Sequence, residues 1–174
     1  IADIVLGENP HLENIKTFQP GNVDACNELD GISPDNKLIS FYSTFESKNI
    51  LATPIYTLNV DTEEIKKLTT ESFAQAATFT PDGKYLVYMT GNQAERFPME
   101  VQGADWWIMN VDGTNKRRLT YMNVKNHTQS VHHYRLAGSL SFIDGTHFLG
   151  GIMTKPLGLT GYTAIVDISK YLEN

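Results

Sequence analysis

A single cysteine, Cys26, stands in the 174 residues of this chain. That excludes an internal disulfide, a paired-thiolate zinc site and a haem-attachment motif, each of which needs at least two thiols. Long apolar runs are missing as well. No window approaches the ~18 consecutive apolar residues of a membrane-spanning helix, and the N-terminus carries no basic and then apolar leader. Positive charge is in deficit, with 14 Lys and Arg against 20 Asp and Glu, a net charge of −6 and a pI near 5.3. Binding to nucleic acid or anionic lipid depends on clustered cations, so neither is expected as a partner. The one basic cluster, Lys116-Arg117-Arg118, reads as a solvated strand edge, where cations discourage pairing with another chain. Catalytic signatures are absent too: there is no Gly-x-Ser-x-Gly elbow, no His-Glu-x-x-His and no phosphate-binding glycine loop, and Asp112-Gly113 lacks the ligand series of a calcium loop.

What the chain does have is a repeated order of parts. Phe79-Thr80-Pro81-Asp82-Gly83-Lys84 precedes the apolar run Tyr85-Leu86-Val87-Tyr88-Met89; a polar loop follows, then Trp107-Ile108-Met109-Asn110-Val111-Asp112-Gly113 and Arg117-Arg118-Leu119-Thr120. Earlier, Ile32-Ser33-Pro34-Asp35-Asn36-Lys37, Leu38 to Ser43 and Tyr56 to Asp61 run in the same order. Later come Asp144-Gly145-Thr146, His147 to Ile152 and Tyr162 to Asp167. The segments YTLNVD, WIMNVD and YTAIVD correspond, the last two 55 residues apart. At the start, Ile4-Val5-Leu6 and Glu13 to Phe18 read as two short strands. Asn14-Ile15-Lys16-Thr17-Phe18 has the character of Glu64-Ile65-Lys66-Lys67-Leu68, the tail of a repeat.

The recurring letters have a physical reason. Proline fixes φ, aspartate bonds back to nearby N–H groups and glycine accepts positive φ, so Pro-Asp-Gly sets a reverse turn that pairs its flanking strands antiparallel. The runs after the turn are apolar on both parities, as in strands covered on both faces. Four short antiparallel strands per unit of about fifty residues, each sheet sandwiched between neighbours, describes a β-propeller blade. The fold class is therefore all-β, with three repeats forming part of a larger β-propeller ring. One incomplete domain over 1–174 is expected, divided into the end of a preceding blade (1–21) and blades at 22–69, 70–120 and 121–174.

These residues resemble the repeat of TolB-type propellers, strongly in the second unit, fairly in the first and weakly in the third. Asn36 replaces the turn glycine of the first unit. Ile143 stands at the proline position of the third, and Gly150-Gly151 interrupts its strand, pointing to a bulge or a close contact. The resemblance implies a bacterial periplasmic or extracellular protein, a non-catalytic scaffold for protein–protein contact through loops and channel mouth, and six or so blades in all. Three blades leave two apolar faces open, so a complement is expected: the rest of a parent propeller, a second copy, or other protein subunits. The start at Ile1 in mid-blade, and an end at Asn174 where the last strand of the third unit should run, favour a piece of a longer chain.

Candidate chemistry is sparse. His127, His132 and His133 could ligate zinc or manganese, although adjacent histidines on a strand point to opposite faces. The insertion from Asn92 to Asp105, with Glu95, Arg96, Glu100 and Asp105, is the candidate binding loop. Tyr134 and Arg135 join it if the segment beside His132 and His133 faces a ligand, as it would in the alternative reading: the propeller portion of a larger enzyme, gating a peptidase or serving a metal- or haem-dependent lyase or oxidoreductase. No cofactor is expected. Trp106 and Trp107 read as core, which sets aside a carbohydrate-stacking role shared with Tyr162. Glu63-Glu64 reads as a solvated hairpin edge. Asn126-His127-Thr128 matches an N-glycosylation acceptor, relevant only to a eukaryotic secreted protein.

Overall fold

The computed structural model describes residues 1–21, 24–47, 52–71, 73–93, 101–130, 135–153 and 161–172; of 92–93, 101–103, 135–139 and 153 only the backbone is described. The strands are β1 (Asp3–Val5), β2 (His11–Glu13), β3 (Asn27–Ile32), β4 (Leu38–Ser43), β5 (Ile55–Asn59), β6 (Ile65–Lys67), β7 (Ala74–Phe79), β8 (Tyr85–Gln93), β9 (Val101–Asn110), β10 (Arg117–Arg118), β11 (Arg135–Phe142), β12 (His147–Met153) and β13 (Gly161–Asp167), with one helical turn, α1 (Ser169–Leu172). Three antiparallel meanders result, β3-β4-β5-β6, β7-β8-β9-β10 and β11-β12-β13, beside the small hairpin β1-β2. They stack face to face as propeller blades.

Turn chemistry starts each meander. Ser33 and Thr80 donate their hydroxyls to Asp35 and Asp82 at 2.6 Å, and each of those carboxylates accepts the backbone N–H two residues on at 3.1 Å. The next residue needs left-handed φ. Gly83 supplies it at 71° and Asn36 at 60°, which is why asparagine can replace the glycine. In the third blade Asp144 acts without a proline, accepting the N–H groups of Thr146 and His147 at 2.7 and 2.8 Å.

Two apolar layers hold the stack. Between the first and second blades lie Ile55, Leu68, Phe79, Leu86, Tyr88 and Met109. Between the second and third lie Val87, Met89, Trp106, Ile108, Leu119 and Phe148. Strand β8 therefore buries both parities, Leu86 and Tyr88 one way and Val87 and Met89 the other. The register assigns equivalent positions: Ile39, Leu86 and Phe148 occupy one site in successive blades, and Phe41, Tyr88 and Gly150 another. Gly150 is thus a close contact. A β-carbon there would lie 2.1 Å from Cζ2 of Trp106, which is 1 % exposed and fills the space that a side chain in the third blade would take.

Four features differ from the sequence reading. Strand pairing ends at Glu13, because Asn14 turns at φ 51°, and Lys16 instead exchanges backbone hydrogen bonds with Ile1, each 2.7 Å. In the third blade Ala164, not Tyr162, pairs as Trp107 and Tyr56 do, so the correct correspondence is AIVDIS, two residues later. A shift of two keeps every side chain on its face, so alternation could not reveal it. The third sheet carries no fourth strand among the described residues; α1 follows β13 directly. Finally, the register breaks in the first strand of every blade, between Leu29 and Gly31, Gln75 and Thr78, and Leu136 and Leu140.

Replacing Gly150 by alanine should force Trp106 from its seat and cost about 1–3 kcal/mol, read as a lower urea midpoint at unchanged m-value. Ile165→Ala, at a position 67 % exposed, serves as the neutral comparison.

Candidate functional site

The most elaborate local arrangement surrounds the β8–β9 hairpin. In the first blade the corresponding pairing stops at Tyr42↔Ile55; in the second it continues through Thr90↔Asp105 and Gly91↔Ala104 to Asn92↔Gln102 and Gln93↔Val101. The presumed loop from Asn92 to Asp105 is therefore in part an extended ladder. Glu95, Arg96 and Glu100 lie outside the described residues. Asp105 does not belong to a loop: it sits in β9, 1 % exposed.

Asp105 anchors the base of that hairpin. Its Oδ1 accepts Thr120 Oγ1 and the Met122 N–H, both at 2.8 Å; its Oδ2 accepts Arg118 Nη2 and, at 3.3 Å, Asn123 Nδ2. One buried carboxylate so ties β9 to β10 and to the connection toward the third blade. The Arg118 guanidinium lies over the rings of Trp107 and Tyr121, 5.9 and 5.0 Å from their centroids. His127 stacks on Tyr121 at 4.5 Å and accepts the Gln129 N–H through Nδ1 at 3.1 Å. The signal for this cluster in the sequence is the Arg-Leu-Thr closing the repeat. Thr69 and Thr120, the equivalent last residues, both accept a β-strand N–H through the hydroxyl, from Ile55 at 2.9 Å and Trp106 at 3.1 Å.

The other candidates separate. His132, His133 and Tyr134 lie outside the described residues. Arg135 opens β11 opposite Met153, at the end of the stack from which the β8–β9 hairpin extends; its side chain is not described. His127 is engaged with Tyr121, and among the described residues no three His, Cys, Asp or Glu side chains converge as metal ligands. No described helix is long and apolar enough to cross a membrane. Trp106 is core, and Trp107 is partly buried against the layer between the first two blades.

Sequence reasoning passed over Asp30. It sits at the β3 register break, and burial raises its carboxyl from the ordinary range to about 7; the backbone N–H groups of Ala77 and Ala76, at the β7 break, partly offset this, while Glu28 adds to it. Its Oδ2 has no hydrogen-bond partner. Glu28 accepts the Tyr42 hydroxyl, whose ionisation is pushed upward by burial and by that bond. A neighbouring bond, Ser40 Oγ to the Ala77 carbonyl at 2.6 Å, joins the same two blades.

Two measurements follow from these carboxylates. Asp105→Ala should cost about 3 kcal/mol, since it leaves Arg118 and three other donors without their acceptor; Asp105→Asn should cost less, and thermal unfolding separates them. For Asp30 the folded state holds its proton more tightly than the unfolded chain does. Stability from this group is full below about pH 4, declines as pH rises toward 7 and is lost above it, by a few kcal/mol at most. Asp30→Asn should flatten the slope of unfolding free energy between pH 4 and 8.

Comparison with known proteins gives the fold an independent footing. No protein-family model matches the chain, and no curated protein matches it. Among solved structures it is similar to a protein of Agrobacterium tumefaciens described as a TolB, at 17 % identity and a TM-score of 0.63, over 96 % of this chain and 53 % of that one. It is similar also to hydrazine synthase of Kuenenia stuttgartiensis, at 18 % identity and 0.53, over 82 % of this chain and 40 % of the other. The TolB of Acinetobacter baumannii superposes at 0.44 with 16 % identity, over 88 % of this chain and 37 % of the other. The chain is a partial β-propeller of TolB-like fold, and it spans about half the length of the Agrobacterium protein.

Proposed function

We propose that this partial propeller is a non-catalytic scaffold for protein–protein interaction, in a bacterial periplasmic or secreted protein. One observation carries the reading: the β8–β9 hairpin outruns its counterpart in the first blade and is pinned at its base by Asp105. The base of the extension is buried, Thr90, Ala104 and Asp105 being at most 8 % exposed, and connections carried on such a base are where binding residues gather. Glu95, Arg96 and Glu100 fall in its connection, and Tyr134 and Arg135 fall in the chain that enters β11, at the same end of the strands. Mixed charge there suits the polar rim of a protein interface. The TolB-type resemblance supports the compartment and the class of partner, other protein subunits.

A second reading, the propeller portion of a larger enzyme, draws on the name of the Kuenenia protein, of which the chain covers 40 %. In it His132, His133, Tyr134 and Arg135 stand near the ligand. Stoichiometric zinc, manganese or iron in the purified protein would favour this reading over the scaffold.

The direct test places a photo-crosslinking residue at Glu95 in the producing cell, with Thr62, on an exposed turn, as control. Expected is one protein captured from Glu95 and absent from Thr62, whose co-purification with the chain is lost when residues 94–100 are replaced by Asn-Gly at unchanged thermal stability. Equal capture from both positions would sink the proposal.

A further inference from the structure

The outer face of the first blade is an apolar surface half covered by the N-terminal segment. Ile39, Phe41, Tyr56 and Leu58 are buried there beneath Phe18, whereas Leu29 and Ile32 of the same face are 73 % and 50 % exposed. Between segment and sheet lies a cavity of about 390 Å³ lined by Phe18, Pro20, Leu29, Ile39, Phe41 and Leu58.

The repeat explains what this face is. Leu86, Tyr88 and Met109 occupy the same register positions in the second blade as Ile39, Phe41 and Leu58 in the first, and they are packed against the preceding blade. The N-terminal segment copies the outer edge of such a preceding blade. Phe18 lies on the face as Leu68 lies on the second blade and Leu119 in the layer before the third. Lys16 reaches the Val60 carbonyl at 2.8 Å, as Lys66 flanks Val111 and Asp112 one blade later. Ile1 pairs with Lys16 as Thr57 pairs with Lys66. Residues 1–18 thus trace the outer hairpin of a further blade.

We propose that the Leu29–Ile32 face and its cavity receive the inner strands of that blade, supplied by a segment of the same polypeptide on the N-terminal side of Ile1. The segment sets its inner strands against β3 as β3 and β4 lie against β7, with an apolar side chain in the role that Leu38 plays toward the second blade. A second copy fits less well. Its β13 edge, unpaired among the described residues, would have to take the side of Lys16 that Ile1 already holds. A polypeptide with about as much chain again as the 174 residues matches the coverage of the Agrobacterium protein, of which this chain accounts for 53 %.

The test uses the intact polypeptide from its source, with Cys26 replaced by serine and single cysteines at Leu29, Ile32 or, for comparison, Ile4 on the exposed β1-β2 hairpin. Expected is a monomer by native mass in which maleimide labels Leu29→Cys and Ile32→Cys at least tenfold more slowly than Ile4→Cys, with protection unchanged on dilution. Leu29→Asn should also lower the melting temperature by several degrees, which substitution on an open surface does not do. Labelling at the Ile4→Cys rate would overturn the proposal, as would an intact mass of 19.5 kDa or protection that disappears on dilution. The last result would assign the face to a second copy or another subunit. None of these readouts involves the β8–β9 hairpin, so this proposal and the scaffold reading can fail separately.

Discussion

A sheet of three or four short strands has two faces and too little width to hide either of them. Covering both is the constraint on which this structure depends, and it is met chiefly by neighbouring sheets. The second blade satisfies it fully, with Leu86 and Tyr88 committed to one neighbour and Val87 and Met89 to the other. Because the two layers share that blade, their volumes must be balanced separately. Toward the first blade Ile55 meets Tyr88; toward the third, the equivalent exchange is Trp106 over Gly150. Large against absent replaces medium against large. The layers are alike in architecture and not interchangeable in residues.

Polar groups at the margins follow from the same constraint. Where blades abut, backbone carbonyls and N–H groups at the register breaks lose water and need partners. Ser40 supplies one to the Ala77 carbonyl, and Asp30 faces the N–H groups of Ala76 and Ala77 with one oxygen left over. The position costs the carboxylate its hydration, which is why the proton is retained there. Asp105 solves a related problem in the opposite way, saturating a buried carboxylate with an arginine, a threonine, an asparagine and a backbone amide.

The fold was largely legible because its punctuation is chemical. Pro-Asp-Gly and Pro-Asp-Asn turns announce where strands begin, and the both-parity apolar runs Leu38 to Tyr42 and Tyr85 to Met89 announce coverage on two sides. The reading weakened where those signals thin. In the third blade the turn lacks proline, and a slip of two residues between YTAIVD and AIVDIS preserved the pattern by which it could have been caught. Asp105 looked like part of a charged loop because a single residue does not declare that four donors will converge on it. Asp30 was silent for a similar reason: its surroundings come from Ala76 and Ala77, more than forty positions away, at a break in β7 that no local motif marks.

Those breaks carry a consequence for biogenesis. Each falls in the first strand of its blade, the strand that leads when a new sheet emerges from the ribosome. A regular leading strand in a chain of units with one shared architecture would be an open template for any earlier sheet, and tandem repeats are prone to such mispairing. Irregular pairing and added twist make β3, β7 and β11 poor templates for strangers while leaving each able to join its own hairpin. The irregularity thus acts as a proofreading device, favouring a sheet that closes on its own nearest residues over one borrowed from a sibling blade.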